Sequence, residues 1–459
     1  MAFLSFLDHE RSVARPGFSR WLVPPAALAV HLSIGQVYSF SVFKIPLTHL
    51  IGITKSAPGD WTQPEVGWIF SFAIGVLGLS AAFFGPWLER EGPRRAMAYA
   101  SVLFALGFFI ASFGVHLHQL WLVYFGYGII GGMGLGLGYS APVATLIRWF
   151  PDRPGLATGM AIMGFGGGAM IGSPLAVKLM AFFHTPTDVG VEKTFLVMGT
   201  FYLCFMAFGA ALVRVPRPGW KPEGWQPKPA ASGMVTTHGV AVGPAFRTPQ
   251  FWLLWIVLCM NTTAGIGILE QASPMIQDLF GITAIAAGGF VGVLSLFNMA
   301  GRFFWSTVSD FIGRKATFMI LLGLAIIGYS ILPYTSAAHM NSIGLFVLTA
   351  GIMLSIYGAG FSTAPAYLKD LFGTYNIGAI YGRLLTAWSV AGILGPVLVN
   401  YMRESQIKHG VDHAGAYQLV LHIMVGLLIV GFLANLLVRA VPQKYWIKSE
   451  APAAAAGGH

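Results

Sequence analysis

Twelve apolar runs of bilayer-spanning length limit this chain more than any other feature. They begin near Trp21, Val66, Ala96, Leu120, Gly155 and Lys193, and again near Phe251, Thr283, Ala316, Ser342, Ile377 and His413. A hydrocarbon core about 30 Å thick takes about 20 apolar residues of helix to cross. The chain is 56% hydrophobic and 10% charged, whereas soluble domains carry roughly 25% charge. The expected fold class is an all-α membrane protein, with twelve transmembrane helices in two six-helix pseudo-symmetric bundles.

The expected boundaries follow from composition. Residues 1–20 form a cytoplasmic N-terminal segment and 21–213 the first bundle. The Pro-, Gly- and Lys-rich stretch 214–250 reads as a cytoplasmic linker, 251–441 as the second bundle, and 442–459 as a disordered cytoplasmic tail ending in APAAAAGGH. The two cysteines, Cys204 and Cys259, lie inside apolar runs, which argues against a disulfide framework or zinc site. The polar first twenty residues and the lack of a small-residue cleavage site argue against a cleaved signal peptide.

The charges give an orientation. With both termini in the cytoplasm, 19 of the 27 Lys and Arg residues fall on that side. Lys44, Lys55, Lys178, Lys193, Arg403 and Lys408 fall outside, and Arg302 and Arg383 lie within helices. That bias matches the positive-inside rule and fixes the orientation; the expected location is the cell (inner) membrane. The net charge of +10 therefore reads as topology, and no nucleic-acid partner is expected.

The halves echo each other. Glu89-x-x-Gly92-Pro93-Arg94 follows the second run, and Asp310-x-x-Gly313-Arg314-Lys315 follows the eighth at an offset of 221. Phe150 with Phe372, and Pro174 with Pro396, share an offset of 222. Such parallel repeats are a transporter architecture with a site near the midplane. Glu89, Arg94, Asp310 and Arg314 are topology anchors, or they pair acid to base across the halves and hold one access state. Gly128, Gly132 and Gly136, and likewise Gly164, Gly168 and Gly172, step by four and let helix backbones approach closely.

The segment SLFNMAGRFFWSTVSDFIGRK, from Ser295 to Lys315, puts Arg302 in an apolar run eight residues before Asp310. At 1.5 Å per residue that is about 12 Å. The guanidinium falls within hydrocarbon, at a cost of at least ~2.5–3.5 kcal/mol. Ser295, Asn298, Arg302 and Ser306 step by 3, 4 and 4 along one helix face. That face belongs in the bundle or against a wet cavity. Arg302 is then either a structural arginine tied to backbone carbonyls or an anion site. Its fork suits a carboxylate and stays charged. Glu270 lies near the outer end of the seventh run, so no interior acid offers a permanent partner. Arg383 stands close enough to its helix end to snorkel. Trp388, five residues deeper, is rotated ~140° from it. Tyr38, Tyr124, Tyr139, Tyr357, Phe361 and Trp388 are aromatics at depth that serve packing or partner a small carboxylate. No Gly-Lys dipeptide occurs, so there is no Walker A loop, and no HExxH or His/Cys metal spacing is present.

Taken together, these segments resemble the major facilitator superfamily, and within it the oxalate:formate antiporter family of organic-anion carriers. The resemblance runs from about Trp21 to Val441. It is carried by GQVYSFSVF, RWFPDRPGLATG, RTPQFWLLW, LFNMAGRFFWSTVSDFIGRK and DLFGTYNIGAIYGRLLTAWSVAGILGP. It implies that Arg302 binds the substrate carboxylate. It also implies roles for Asn298 one turn earlier, for Tyr139 before the Arg-Trp-Phe-Pro turn, and for Tyr357 and Phe361 in the tenth helix. Tyr38 joins this expected substrate-binding set, as does Trp388. One position departs: the oxalate carrier of that family keeps a lysine in the eleventh helix where Trp388 stands here. One fixed cation favours a monoanion over a dianion.

The expected function is secondary active transport of small carboxylates such as formate, acetate or lactate by alternating access, as anion exchange or proton symport. The alternative is oxalate:formate antiport with Arg383 as the second cation. A non-transporting sensor ranks lower, because it usually adds a soluble signalling domain. An enzyme is not expected, since no deep acid/base or metal cluster is visible. The expected partners are a small carboxylate anion, a proton or counter-anion, and the lipid bilayer. No cofactor is expected, and the expected state is a monomer.

Overall fold

The computed structural model describes residues 6–217, 219–224, 236, 238–335, 340–373, 376–413 and 415–447, without the side chains of Pro86, Glu89 and Pro154. Among these residues, twelve helices are long and apolar enough to cross a membrane. They are α1 Arg20–Leu47, α2 Gln63–Gly85, α3 Pro93–His116, α4 Leu120–Trp149, α5 Gly155–Phe183 and α6 Val191–Leu212. The second set comprises α7 Pro249–Phe280, α8 Ala284–Ile312, α9 Arg314–Thr335, α10 Ile343–Phe372, α11 Ile377–Lys408 and α12 Ala416–Leu437. Large apolar side chains such as Phe83, Phe182 and Phe311 stay exposed on the rim, as a lipid-facing surface requires.

The repeat offset reappears as backbone geometry. Gly92 and Gly313 both take φ +85°, ending the helices that precede them and starting α3 and α9. A side chain at that φ is strained, so glycine makes the same bend in both halves. The glycine stripes serve contacts within the first half. A Cβ at Gly132 would lie 2.8 Å from the Val76 side chain of α2, and one at Gly168 would lie 2.3 Å from the Gly35 carbonyl carbon of α1. They pack α4 on α2 and α5 on α1.

Among the described residues, α4 runs as a π-helix over Tyr124–Ile130, and α1 and α11 change winding beside residues of the central cluster. In α1 the α-helix Val23–Ile34 tightens to a 3₁₀ coil over Gly35–Phe43, all of it buried. In α11 the helix Ile377–Leu384 gives way at Leu385 to Thr386–Lys408, with Trp388 N–H bonded to the Leu385 carbonyl at 2.9 Å. Departures from regular α-helix often mark functional positions.

One sequence expectation needs correction. The tail is not disordered throughout. Gln443–Tyr445 forms a turn, Val240 pairs with Trp446, and the His238 and Trp446 rings stack at 4.3 Å. That aromatic contact anchors the start of the tail to the linker, and residues 448–459 lie outside the described set. Lys44 and Arg403, assigned to the outer side from sequence, turn inward there. Both are buried inside ion-paired clusters.

Candidate functional site

The polar stripe of α8 faces α5 of the other half. Ser295 Oγ donates to the Gly166 carbonyl at 2.6 Å. A Cβ at Gly166 would come within 2.9 Å of Arg302 Nε and 3.0 Å of Asn298 Oδ1, so the missing side chain makes room for the guanidinium. Arg302 is fully buried. Its Nε donates to Asn298 Oδ1 at 2.9 Å, and longer contacts of 3.4 Å reach the Ile162 carbonyl and the Tyr38 hydroxyl. Its guanidinium carbon lies 5.5 Å from the ring centroids of both Phe165 and Phe361. Each such cation–π contact contributes about 0.5–2 kcal/mol. These neighbours offset the insertion cost without neutralising the charge.

The aromatics expected from sequence converge here. Tyr38 and Tyr357 hydroxyls lie 2.5 Å apart, linking the two halves. Trp388 packs on Phe361 at 4.2 Å and on Tyr139 at 5.1 Å. Tyr38, Tyr139, Tyr357, Phe361, Trp388, Asn298 and Arg302 therefore form one buried cluster. Tyr124 does not belong to it. It donates to the Glu65 carbonyl near the opposite end of α2.

Three members were missed from sequence. Tyr381 reaches the Tyr139 hydroxyl at 3.3 Å from the start of α11. Phe165 is the hub ring, 5.0 Å from Tyr38, 5.4 Å from Tyr139 and 5.3 Å from Trp388. His31 stacks on Tyr139 at 5.4 Å, with Nε2 facing the Tyr139 carbonyl at 3.1 Å. The YGR triplet was a usable signal for Tyr381, while Phe165 and His31 stand alone in apolar runs. Arg383 lies apart, half-buried, 5.6 Å from the Phe246 ring and bonded to the Ala379 carbonyl.

The cluster is rich in donors and poor in acceptors. Asn298 Nδ2 and Trp388 Nε1 are buried without a described partner. Both can only donate. No carboxylate among the described residues pairs with Arg302. Positive charge with spare N–H donors suits an anion.

Both ends of the cluster are closed. On the face away from the termini, Lys44 Nζ donates to Glu270 Oε1 at 2.6 Å and to Asn400 Oδ1 at 2.9 Å. Asn400 Nδ2 returns a bond to Glu270 Oε2 at 3.2 Å. On the terminus-bearing face, Thr158 Oγ1 of α5 donates to the Ser362 carbonyl of α10 at 2.8 Å. A Cβ at Gly155 would lie 2.5 Å from Asp310 Oδ2, so Asp310 rests on the start of α5.

Among the described side chains, the repeated helix-end arginines do not pair with acids across the halves, as one sequence expectation had it. Arg94 donates to the backbone carbonyls of Phe6, Arg11 and Val213 in its own half. Arg314 pairs with Asp310 and Asp370 in its own. Buried arginines at helix ends find the nearest carbonyls and acids. Asp310 alone crosses, toward a helix N-terminus. The Glu89 side chain lies outside the described set.

Fold and centre define a membrane carrier of two six-helix halves closed around a buried cation. The chain belongs to the Major Facilitator Superfamily, whose family model matches residues 17–396. It is a transporter of that family and not an enzyme. It is 27% identical to the MFS-type transporter YhjX of Escherichia coli (strain K12), over 82% of this chain and 86% of that one. It is 25% identical to the oxalate:formate antiporter of Oxalobacter formigenes, over 82% and 83%. It is 24% identical to monocarboxylate transporter 13 of Bos taurus, over 84% and 83%. Among solved structures, a bacterial homologue of the human lysosomal transporter Spinster, in an inward-facing unoccupied conformation, superposes with a TM-score of 0.68 at 15% identity. That alignment covers 94% of this chain and 100% of the other.

Proposed function

We propose that this transporter moves small monocarboxylates, such as formate, acetate or lactate, by alternating access. The carrying observation is Arg302, a buried guanidinium without a carboxylate partner, beside the unpaired donors of Asn298 and Trp388. A carboxylate fills the guanidinium fork with two parallel bonds. The small apolar remainder of the anion rests against Phe361 and Trp388. The similarity to carriers named for oxalate, formate and monocarboxylates supports the same class. Both termini are cytoplasmic in this reading, the membrane is the inner one, and the working unit is a monomer.

Alternation follows from the two closures. Release of the Lys44–Glu270–Asn400 cluster opens the outer face, and release of α5 from α8 and α10 opens the inner one. Oxalate:formate exchange is the second reading, but Arg383, its candidate second cation, faces Phe246 rather than Arg302. The test is uptake of a radiolabelled acid panel into proteoliposomes, with and without imposed pH and counter-anion gradients. Monocarboxylate uptake is expected. Stimulation by a pH gradient identifies symport and stimulation by internal anion identifies exchange. No uptake of any acid in the panel overturns the reading.

A further inference from the structure

A cavity of about 80 Å³ lies between the halves on the terminus-bearing side of the centre. Ile147 and Pro151 line it with Thr158 from the first half, and Pro365, Ala366 and Lys369 with Ile377 from the second. Lys369 is the one charged side chain in that lining. The helices that line it are the ones that carry the centre, and the Thr158–Ser362 contact stands between the two. Thr158 is one helical turn from Ile162, whose carbonyl meets Arg302. Pro365 is one turn from Phe361, and Lys369 is one turn further. Eight residues of helix separate Phe361 from Lys369, about 12 Å. At about 30 Å³ per water the space holds roughly two to three water-sized groups, about the heavy-atom count of formate.

The ammonium is available to an anion. The charged groups that act on Lys369 are Asp370, Arg314 and Asp310. Both acids are engaged by Arg314, and neither lines the cavity. Among the described residues, no carboxylate lies within ion-pairing distance of Lys369 Nζ. A half-buried cation over an apolar floor, with its neighbouring acids held by Arg314, does not fit a plain topology anchor, which would sit in water.

We propose that this cavity is a second carboxylate position, occupied between the centre and the cytoplasm, with Lys369 as its cation. The inference rests on the carboxylate reading above. An anion leaving Arg302 gives up a charge-assisted contact. A second cation one cavity away shortens the stretch it crosses uncompensated in low dielectric. The missing second cation of the centre is thus present on the path rather than in the site.

The experiment measures transport from each face separately, with labelled formate and L-lactate, in inside-out and right-side-out vesicles. Lys369→Gln should raise KM at the cytoplasmic face about fivefold, the weight of a half-exposed ion pair. KM at the outer face should stay within about twofold, and Lys369→Arg should restore the cytoplasmic value. A mere shift between access states would move the two KM values in opposite directions. If Lys369→Gln does not insert, Ala366→Leu narrows the same cavity with the ammonium kept, and should raise cytoplasmic KM alone. Unchanged KM on both faces, or an equal rise on both, overturns the proposal. Failure of wild type to move either acid from either face would instead overturn the carboxylate reading.

Discussion

Lys44 Nζ stands 2.6 Å from Glu270 Oε1, and neither side chain is exposed. This pair ties α1 of one half to α7 of the other, and Asn400 of α11 bonds both partners. Removing one member of a buried pair costs about 3–5 kcal/mol, because the other charge is left uncompensated. Lys44→Met or Glu270→Gln alone should therefore lower the melting temperature, and the double variant should recover part of the loss. The single variants should also favour the state open at this face. Alkylation from outside of a cysteine introduced at Ser273, with Cys204 and Cys259 replaced, reports that shift. Equal alkylation in wild type and variants would contradict a closing role.

Asp310 closes the other end differently. Its carboxylate rests on the first residues of α5, where helix N–H groups carry partial positive charge. Asp310→Asn should weaken closure of the terminus-bearing face, by about twofold to fivefold in state balance. Gly155→Val should act in the same direction through bulk alone. Accessibility of a cysteine introduced at Ala366 measures both. A changed substrate profile with unchanged accessibility would argue against gating.

Trp388 tests the choice of a monoanion. Formate, acetate or lactate should compete for uptake much better than oxalate in wild type. Trp388→Lys should move the preference toward oxalate, with Trp388→Phe as the packing control, since losing a buried aromatic costs about 3–5 kcal/mol in itself. Wild-type preference for oxalate would void the argument from one cation.

The loop between α4 and α5 gives a pH test of stability outside the membrane. Arg20 clasps Asp152 with bonds of 2.6 and 3.0 Å. Partial burial pushes the Asp152 carboxyl up, but the Arg20 hydrogen bond and charge outweigh it and hold it below the usual range. A lowered folded pKa adds stability that is complete above the unfolded value and lost as pH falls through the folded one. The melting-temperature gap between wild type and Asp152→Asn should be level from about pH 7 to about pH 5 and shrink below about pH 4. A gap that widens on acidification would contradict this.

Helix positions and the stripe of Ser295, Asn298, Arg302 and Ser306 were legible in the sequence, because apolar length and 3.6-residue spacing are local properties. The bend shared by Gly92 and Gly313 was legible as a repeated glycine. The partners were not. Lys44 and Glu270 are 226 residues apart, so each read alone as a charge near a helix end. Phe165 and His31 carry no local mark, and their place depends on how α1 and α5 cross. Arg94 and Arg314 looked like a matched pair of cross-half contacts. Each instead satisfies its donors within its own half, where carbonyls and acids lie closer.

The most direct measurement is equilibrium binding of a monocarboxylate, formate or L-lactate, to purified wild type and Arg302→Gln. Arg302 carries the only guanidinium in the described central cluster, and its replacement leaves the neighbouring rings in place. A hydrogen bond to a charged group contributes about 1.5–3 kcal/mol, so affinity should fall roughly 10- to 100-fold or more. Arg302→Lys should also bind poorly, lacking the planar fork. The account predicts this loss with elution volume and melting temperature near those of wild type. Unchanged affinity in Arg302→Gln, or loss of the folded protein together with binding, would contradict the role assigned to Arg302.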